Sequence, residues 1–156
     1  MELSLLNIEV KIHDKVIKTF LEFIQKTAYD KEAGGVLTGK IFDNHIEIIS
    51  CSEPSILDRR RRYNFIRSHK SAQKFINKVF YESKGEEIYL GEWHTHPEHI
   101  PTPSRTDLKS FRKTINENNL NSEIHFMIIV GITNIYVGTY KMGELVIENR
   151  FDNPIR

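Results

Sequence analysis

Residues 88–97 read Ile-Tyr-Leu-Gly-Glu-Trp-His-Thr-His-Pro, an apolar run that ends in the pair His94 and His96. Residues 88–93 have the composition of a β-strand. In a strand, side chains two residues apart point to the same side and lie about 6.6 Å apart along the chain. His94 and His96 therefore face a common point, as two ligands of one metal ion do.

A third ligand is required, because a catalytic zinc ion takes three protein ligands, with imidazole nitrogens at about 2.0–2.1 Å, and leaves its fourth position to water. Asp107 lies eleven residues beyond His96. The prolines between them predict an extended loop, and Thr102 followed by Pro103 predicts a helix cap and a first helical residue. Asp107 would then lie in the first turns of this helix, which the loop can fold back over the strand end.

Each half of this pattern also has an ordinary explanation. A His-x-His pair alone is usually incidental. Ser104 and Asp107 alone form an ordinary capping box, in which a serine and an acid three residues later satisfy the N–H groups of a helix. Together, with a helix start between them, the two halves make an arrangement that chance seldom assembles, and we interpret them as a zinc site.

The segments on either side of residues 88–97 predict an α+β fold, in which a mixed sheet is flanked by helices. Hydrophobic periodicity separates the strands from the helices. The expected elements, in order, are a strand in residues 2–12, an amphipathic helix from Asp14, strands at 32–39 and 41–49, a loop at 53–68, a helix at about 69–83, the strand at 88–93, the helix after Thr102, and strands at 124–130, 134–140 and 145–150.

Length and composition limit the number of domains, the classes of partner and the types of metal site that this chain can have. We expect residues 1–156 to form a single domain, because a chain of this length can bury roughly two-thirds of its unfolded surface. Lys and Arg number 22 and Asp and Glu number 21, so no global field would attract nucleic acid or an anionic membrane. The lone cysteine, Cys51, excludes an internal disulfide and a Cys-rich zinc cluster. No signal peptide or membrane span is evident, and we expect a cytoplasmic protein.

The spacing from His94-Thr95-His96-Pro97 through Ser104 to Asp107 resembles the JAMM motif of the MPN-plus metalloproteases, also called JAB-domain proteases, with every interval intact. Residues 32–39, Glu-Ala-Gly-Gly-Val-Leu-Thr-Gly, resemble the segment that bears the catalytic glutamate of that family. The resemblance extends over roughly residues 12–140. It implies a fold related to the cytidine deaminases, one zinc ion per chain, and hydrolysis of a peptide or isopeptide bond, often after the C-terminal tail of a ubiquitin-like protein.

Within this family the chain looks most similar to the small bacterial members, particularly those found in anti-phage operons beside ubiquitin-activating-like and ubiquitin-conjugating-like enzymes. The resemblance implies a protein substrate conjugated through an extended C-terminal tail, including a cGAS-like nucleotidyltransferase. Which protein is conjugated, and whether the bond is an isopeptide or a linear peptide bond, stays open.

The resemblance also implies a role for each site residue. Zinc lowers the pKa of its bound water toward about 7, Glu32 takes the proton as general base, and Ser104 donates a hydrogen bond to the oxyanion. Glu92 shares the strand parity of the two histidines and is the rival base. It would lie about 6.6 Å behind His94 and about 13 Å from His96, away from the loop that brings in Asp107.

Three other functions are alternatives for such a sequence. A catalytically silent scaffold of the MPN-minus type loses metal ligands, which this chain keeps. A deaminase-like zinc enzyme needs a paired-cysteine motif that a one-cysteine chain cannot supply. A binding module that holds no metal is the third alternative, and a metal analysis of the purified protein would distinguish it from a zinc hydrolase.

Four consecutive arginines, Arg59–Arg62, lie in the expected loop at 53–68. One interpretation is a solvated surface. Our hypothesis is that the loop closes over the substrate tail and that the planar guanidinium groups contact acidic groups near the scissile bond.

Overall fold

The computed structural model describes residues 1–5 and 8–154, and of residues 3–5 the backbone alone. Within these ranges, eight strands form one mixed sheet in the order β1-β2-β4-β3-β7-β8-β9-β10. The β2–β4 and β7–β8 pairs are parallel, and the other pairs are antiparallel. The strands of this sheet are β1 Glu2–Leu5, β2 Ile8–Ile12, β3 Gly34–Ile41, β4 His45–Cys51, β7 Ile88–Thr95, β8 Ile124–Val130, β9 Asn134–Lys141 and β10 Glu144–Asp152.

Three helices and a small hairpin cover the sheet in the described part of the chain. The helices are α1 Asp14–Glu22, α2 His69–Glu82 and α3 Arg105–Glu117, and the hairpin strands are β5 Arg59–Arg61 and β6 Asn64–Ile66. Helix α1 packs its apolar stripe of Val16, Ile17 and Phe20 into the larger core cluster. Helices α2 and α3 pack into two smaller clusters.

Strand alternation divides these clusters between the two faces of the sheet. On β8, Ile128 belongs to the α1 cluster, whereas the adjacent Met127 and Ile129 belong to the α3 cluster. Successive strand residues point to opposite faces, so α1 lies on one face and α2 and α3 lie on the other. The expected α+β fold with a mixed sheet and helices on both sides is confirmed.

Three expectations about local structure are wrong. Residues 2–12 hold two strands, β1 and β2, paired antiparallel with Glu2 opposite Lys11, and residues 6 and 7 between them lie outside the described residues. Residues 53–68 are not all loop, because β5 and β6 pair with Arg59 opposite Ile66. The cap of α3 is Ser104 and not Thr102, since the Ser104 side chain accepts the Asp107 N–H.

No helix in residues 1–5 and 8–154 combines the length and apolar character that a membrane crossing requires.

A buried histidine sits beneath α2 and α3, apart from the expected zinc site. His125 on β8 is 2% exposed, its ring lies 5.8 Å from that of Tyr89, and both of its ring nitrogens are buried without a hydrogen-bond partner in the described residues. Burial disfavours the imidazolium form and lowers the pKa of His125. In the unfolded chain a histidine has a pKa of about 6.5.

The unfolded state therefore binds this proton at a higher pH than the folded state, and the contribution of His125 to stability is lost as the pH falls below about 6.5. We expect His125→Phe to reduce the loss of unfolding free energy between pH 7 and pH 5 by at most about 2 kcal/mol. Urea denaturation at both pH values measures this difference. His99→Phe, at an exposed histidine, is the control and should leave the pH dependence as it is in the native chain; an equal change in both variants would contradict the assignment.

Candidate metal centre

His94, His96 and Asp107 meet at one end of the sheet. The Nε2 atoms of the two imidazoles are 3.1 Å apart. Asp107 Oδ1 lies 3.4 Å from His94 Nε2, and Asp107 Oδ2 lies 3.4 Å from His96 Nε2. The three side chains are 10–18% exposed, so the cluster opens to solvent on one side. The structure thus brings together the three ligands that the sequence predicts.

The start of α3 fixes Asp107. Ser104 is its N-cap, and the Ser104 Oγ accepts a hydrogen bond from the Asp107 backbone N–H at 3.1 Å. In return, Asp107 Oδ2 accepts the Ser104 backbone N–H at 2.7 Å. This reciprocal pair is a capping box, which holds both side chains in one orientation. The capping box that the sequence predicts is therefore present, and it aims the Asp107 carboxylate at the two histidines.

Electrostatics keep the cluster ready for a cation. Burial favours the neutral acid, yet hydrogen bonds from His94 and His96 outweigh it and hold the pKa of Asp107 well below its usual range. Burial likewise opposes a charge on His96, but the hydrogen bond to Asp107 and its charge raise the pKa of His96. Asp107 therefore keeps its negative charge where the two imidazoles converge.

Glu98 is a site residue that the sequence did not reveal. Its Oε2 lies 3.5 Å from His96 Nδ1, the ring nitrogen that faces away from the cluster. A carboxylate on the outer nitrogen fixes the tautomer and the orientation of a metal-binding imidazole. The only sequence signal is that Glu98 follows His96 by two residues, directly after Pro97.

Glu32 precedes β3 and shares the face of the two histidines. In the β3–β7 pair, Gly34 lies opposite His94. The pairing continues one residue further, because Thr95 N donates to Ala33 O at 2.8 Å, and this places Glu32 opposite His96. Directly opposed residues of an antiparallel pair present their side chains on the same face. The register therefore directs Glu32 toward the metal ligands.

A buried hydrogen-bond network holds the Glu32 segment. Thr95 Oγ1 accepts the Ala33 N–H at 3.0 Å and donates to Gln25 Oε1 at 3.0 Å. Gln25 Nε2 in turn donates to the Arg62 carbonyl at 2.9 Å. Thr95 and Gln25 are 0% and 1% exposed. Strand alternation turns the Thr95 side chain away from His94 and His96, and no pattern in the sequence indicates that its hydroxyl ties the base segment in place.

The arginine run also packs against this segment. Arg60 Nε donates to the Glu32 carbonyl at 2.8 Å, and the Arg61 carbonyl accepts the Glu32 N–H at 2.8 Å. Arg62 donates through NH1 to the Thr27 carbonyl at 2.6 Å. Arg60 and Arg62 are thus used inside the chain, and the hypothesis that all four arginines face a substrate does not fit the structure. Arg59 and Arg61 are exposed.

Burial raises the pKa of Glu32 to about 7, with the nearby negative charges of Asp107 and Glu98 adding to the effect and His96 opposing it. A carboxyl group with a pKa near neutrality can accept and return a proton at physiological pH. The carboxyl group of Glu32 is thus suited to proton transfer, and the Glu32 side chain is 6% exposed.

The spacing of the three donors fits zinc. Ligands at about 2.0–2.1 Å from a tetrahedral ion are about 3.3 Å from one another. The two imidazole nitrogens are 3.1 Å apart, and each lies 3.4 Å from a different oxygen of Asp107, which is close to this spacing. Two imidazole nitrogens and one carboxylate oxygen form the donor set of an open catalytic site.

A groove of about 820 Å³ leads away from the cluster between α2 and α3. Glu32, His94 and Asp107 lie at its inner end. Its apolar floor and sides include Val36, Ile76 and Met127, and its rim carries amides at Asn64, Gln73, Asn77, Asn118, Asn119 and Asn121. An extended chain segment fits a channel of this kind, since apolar surface accepts side chains and amides bond with peptide groups.

Glu92, the rival base, lines the same groove but is already paired. Arg67 NH2 donates to Glu92 Oε1, and the Tyr89 hydroxyl donates to the same oxygen at 3.3 Å. Glu92 Oε1 is thus already occupied by two donors. The geometry therefore favours Glu32 over Glu92, as the distance argument expected.

Comparisons with known proteins identify the family. The model of the family described as prokaryotic homologs of the JAB domain matches residues 14–143. A relative from Vibrio cholerae serotype O1, named CD-NTase/cGAS isopeptidase, is 36% identical over 137 residues, which are 88% of this chain and 85% of the relative. Relatives with the same name from Escherichia coli and Pseudomonas aeruginosa are 36% and 31% identical, over 83% and 78% of this chain and 80% and 76% of theirs.

The solution structure of a protein from Desulfitobacterium hafniense superposes with a TM-score of 0.56 at 15% identity, covering 90% of this chain and 89% of that protein. At this identity the likeness concerns the fold alone. The family match and the three relatives together show that this chain belongs to the prokaryotic homologs of the JAB domain.

Proposed function

We propose that this chain is a zinc-dependent isopeptidase that hydrolyses the bond after the C-terminal tail of a conjugated protein. One observation carries the proposal: three donors spaced for zinc, His94, His96 and Asp107, lie beside the carboxyl group of Glu32 at the inner end of a groove. A structural metal site has four protein ligands and no groove, whereas a catalytic site leaves one position free for water or substrate.

Zinc, when bound by His94, His96 and Asp107, supplies a Lewis acid that polarises the scissile carbonyl and acidifies water. Glu32 takes the proton from the attacking water and later gives it to the departing amine. Its raised pKa suits both transfers. Proton transfer by a positioned group contributes typically about 10²–10⁴ to the rate.

Ser104 is proposed to donate to the oxyanion that forms at the scissile carbonyl. Its Oγ already accepts the Asp107 N–H, and the hydroxyl hydrogen is left to donate because a serine hydroxyl has one donor and two acceptor positions. The Ser104 side chain is at the exposed start of α3 beside Asp107, where a substrate carbonyl can reach it.

The substrate is proposed to be a protein with an extended C-terminal tail. The relatives from Vibrio cholerae, Escherichia coli and Pseudomonas aeruginosa are named as isopeptidases of CD-NTase/cGAS, and we propose a cGAS-like nucleotidyltransferase joined by its last carboxyl group to a lysine as the conjugate. The groove between α2 and α3 supports this choice, because a tail can lie along it while the folded body stays outside. The reaction balances as addition of one water to one amide, which gives a free carboxylate and a free lysine amine.

The first prediction from this proposed function concerns metal content. The purified protein should hold about one zinc ion per chain, and His94→Ala, His96→Ala and Asp107→Ala should each lose both zinc and cleavage, because two ligands cannot complete the site. Plasma mass spectrometry measures the zinc. His99→Ala, at an exposed histidine in the adjoining loop, is the control that should keep the metal. Full activity in any ligand variant would show that the wrong residue was chosen.

The second prediction concerns the base. Glu32→Gln should keep zinc and lower kcat by about 10²-fold or more, because the amide fills the same space but cannot accept the proton. Single-turnover cleavage of a tail–lysine isopeptide, followed by chromatography, measures the rate. Glu86→Gln, at an exposed glutamate at the far end of the sheet, should cleave at the native rate. A kcat for Glu32→Gln close to that of Glu86→Gln would transfer the role to another group.

The third prediction concerns the network that holds the base. Thr95→Val keeps the shape of the side chain but removes the bonds to Ala33 N and Gln25 Oε1. We expect kcat to fall about ten- to a hundredfold, since a displaced catalytic group loses its attack geometry, with KM and zinc content nearly unchanged. Thr95→Ser keeps the hydroxyl and should retain most of the activity. Equal activity of the Val and Ser variants would mean that the hydroxyl does not position Glu32.

A further inference from the structure

A second polar group faces the groove beyond the metal centre. Arg67, in the link between β6 and α2, donates through NH2 to Glu92 Oε1, and its NH1 lies 3.5 Å from the Gly35 carbonyl. The side chains of Arg67 and Glu92 are 20% and 13% exposed, and both line the groove that holds Glu32 and His94.

Tyr89 reaches the same place because of a β-bulge. The β3–β7 register shifts between Leu37 and Thr38, so that Gly91 and Tyr89 pair with adjacent β3 residues. Strict alternation would put Tyr89 and Glu92 on opposite faces. The bulge puts both on the α2–α3 face, where the Tyr89 hydroxyl donates to Glu92 Oε1 at 3.3 Å.

The pair retains free hydrogen-bonding capacity. A guanidinium group has five N–H donors, and within the described chain Arg67 uses two of its nitrogens. Both hydrogen bonds to Glu92 end on Oε1, and Oε2 has no partner among the described residues. Neither Arg67 nor Glu92 is among the fully buried polar side chains without a partner, so their free atoms open to the groove. One donor and one acceptor thus stand side by side.

A donor beside an acceptor matches one residue of an extended chain, whose N–H and C=O point to the same side. The net charge of the pair is zero, so it offers no attraction to an acidic or a basic side chain. A peptide group gains hydrogen bonds to charged partners, which are stronger than bonds between neutral groups. The pair is therefore suited to the main chain of a tail and not to a particular side chain.

The position along the groove selects one side of the scissile bond. Glu92 precedes His94 by two residues on the same strand face, a distance of about 6.6 Å, which is two residues of an extended tail. On the amine side of an isopeptide bond lies the aliphatic side chain of a lysine, which has no peptide group within that reach. The acyl side, the tail itself, has one.

We propose that Arg67 and Glu92 are specificity-determining residues that bind one residue of the extended tail, about two residues before the scissile carbonyl, Glu92 Oε2 accepting the N–H of that residue and Arg67 donating to its C=O. The inference rests on the proposed isopeptidase function. The pair then recognises the main chain of an extended segment. It selects flexible tails over folded segments, because the peptide groups of folded segments already have hydrogen-bond partners.

Backbone ester substitution tests this proposal. The probes are synthetic ten-residue peptides with the C-terminal sequence of a cGAS-like nucleotidyltransferase, each joined through its last carbonyl to the Nε of a lysine in a fluorogenic peptide. One probe has amides throughout, and in each of the others one of the last four tail amides is replaced by an ester, which removes a single N–H. Cleavage of the all-amide probe tests the proposed function, and the ratio between ester and amide probes tests the inference.

In the native zinc enzyme, the ester about two residues before the scissile bond should lower kcat/KM by about tenfold or more, chiefly through KM, because a hydrogen bond to a charged group is lost. Each of the other esters should lower kcat/KM by a clearly smaller factor. A flat response across the four positions would overturn the proposal, whatever the behaviour of any variant.

The double variant Arg67→Met/Glu92→Met removes the pair without leaving a lone buried charge. It should cleave the all-amide probe with a raised KM and lose the extra sensitivity to that one ester. Tyr89→Phe, which removes a neighbouring bond to Glu92 but keeps the pair, should retain the sensitivity. If the double variant holds its native zinc content and the native ester ratio, the pair only tethers β6 and α2 to the sheet and the proposal is wrong.

Discussion

The antiparallel register of β3 and β7, with Gly34 opposite His94, is the constraint on which the site depends. It sets the Glu32 segment against the two histidines on one face, while Trp93 turns to the opposite face and is fully buried. Glycine is required at position 34, because a Cβ there would lie 2.6 Å from the Trp93 carbonyl and 2.7 Å from the Phe65 ring. A larger residue would push β6 away from the inner end of the groove.

The remaining parts of the site come from segments distant in the chain, and each is fixed by bonds that are local to it. Asp107 is held by the capping box with Ser104 at the start of α3. His96 is oriented by Glu98, and the base segment is tied down by Thr95 and Gln25. A reacting centre must be held to fractions of an ångström. Here the capping box holds Asp107, and the buried, hydrogen-bonded side chains of Thr95 and Gln25 hold the base segment where backbone pairing ends.

Sequence reasoning succeeded where a rule of local geometry determines the result. Period-two alternation was sufficient to put His94 and His96 on one face. The spacing from Ser104 to Asp107 was sufficient for a helix start, although the cap fell on Ser104 because its side chain, and not that of Thr102, bonds to the helix N–H groups.

Sequence reasoning failed where contacts between distant segments of the chain determine the local structure. The Arg59–Arg61 strand forms because it pairs with residues 64–66 and bonds to the backbone of Glu32, and no periodicity within the run records these partners. The bulge near Leu90 follows from the close approach at Gly91, where a Cβ would meet the Phe126 carbonyl at 1.9 Å. Strict alternation therefore misplaces Tyr89 relative to Glu92. Glu98 and Gln25 likewise carry no pattern in the sequence that marks them as neighbours of the site.

The central claim is that two histidines and one carboxylate of this chain hold a zinc ion with an open position. The zinc K-edge X-ray absorption spectrum of the purified protein tests it most directly. We expect a first shell of about four nitrogen and oxygen atoms near 2.0 Å, with outer-shell scattering from two imidazole rings. A sulfur atom in the first shell, or scattering from a number of imidazoles other than two, would contradict it.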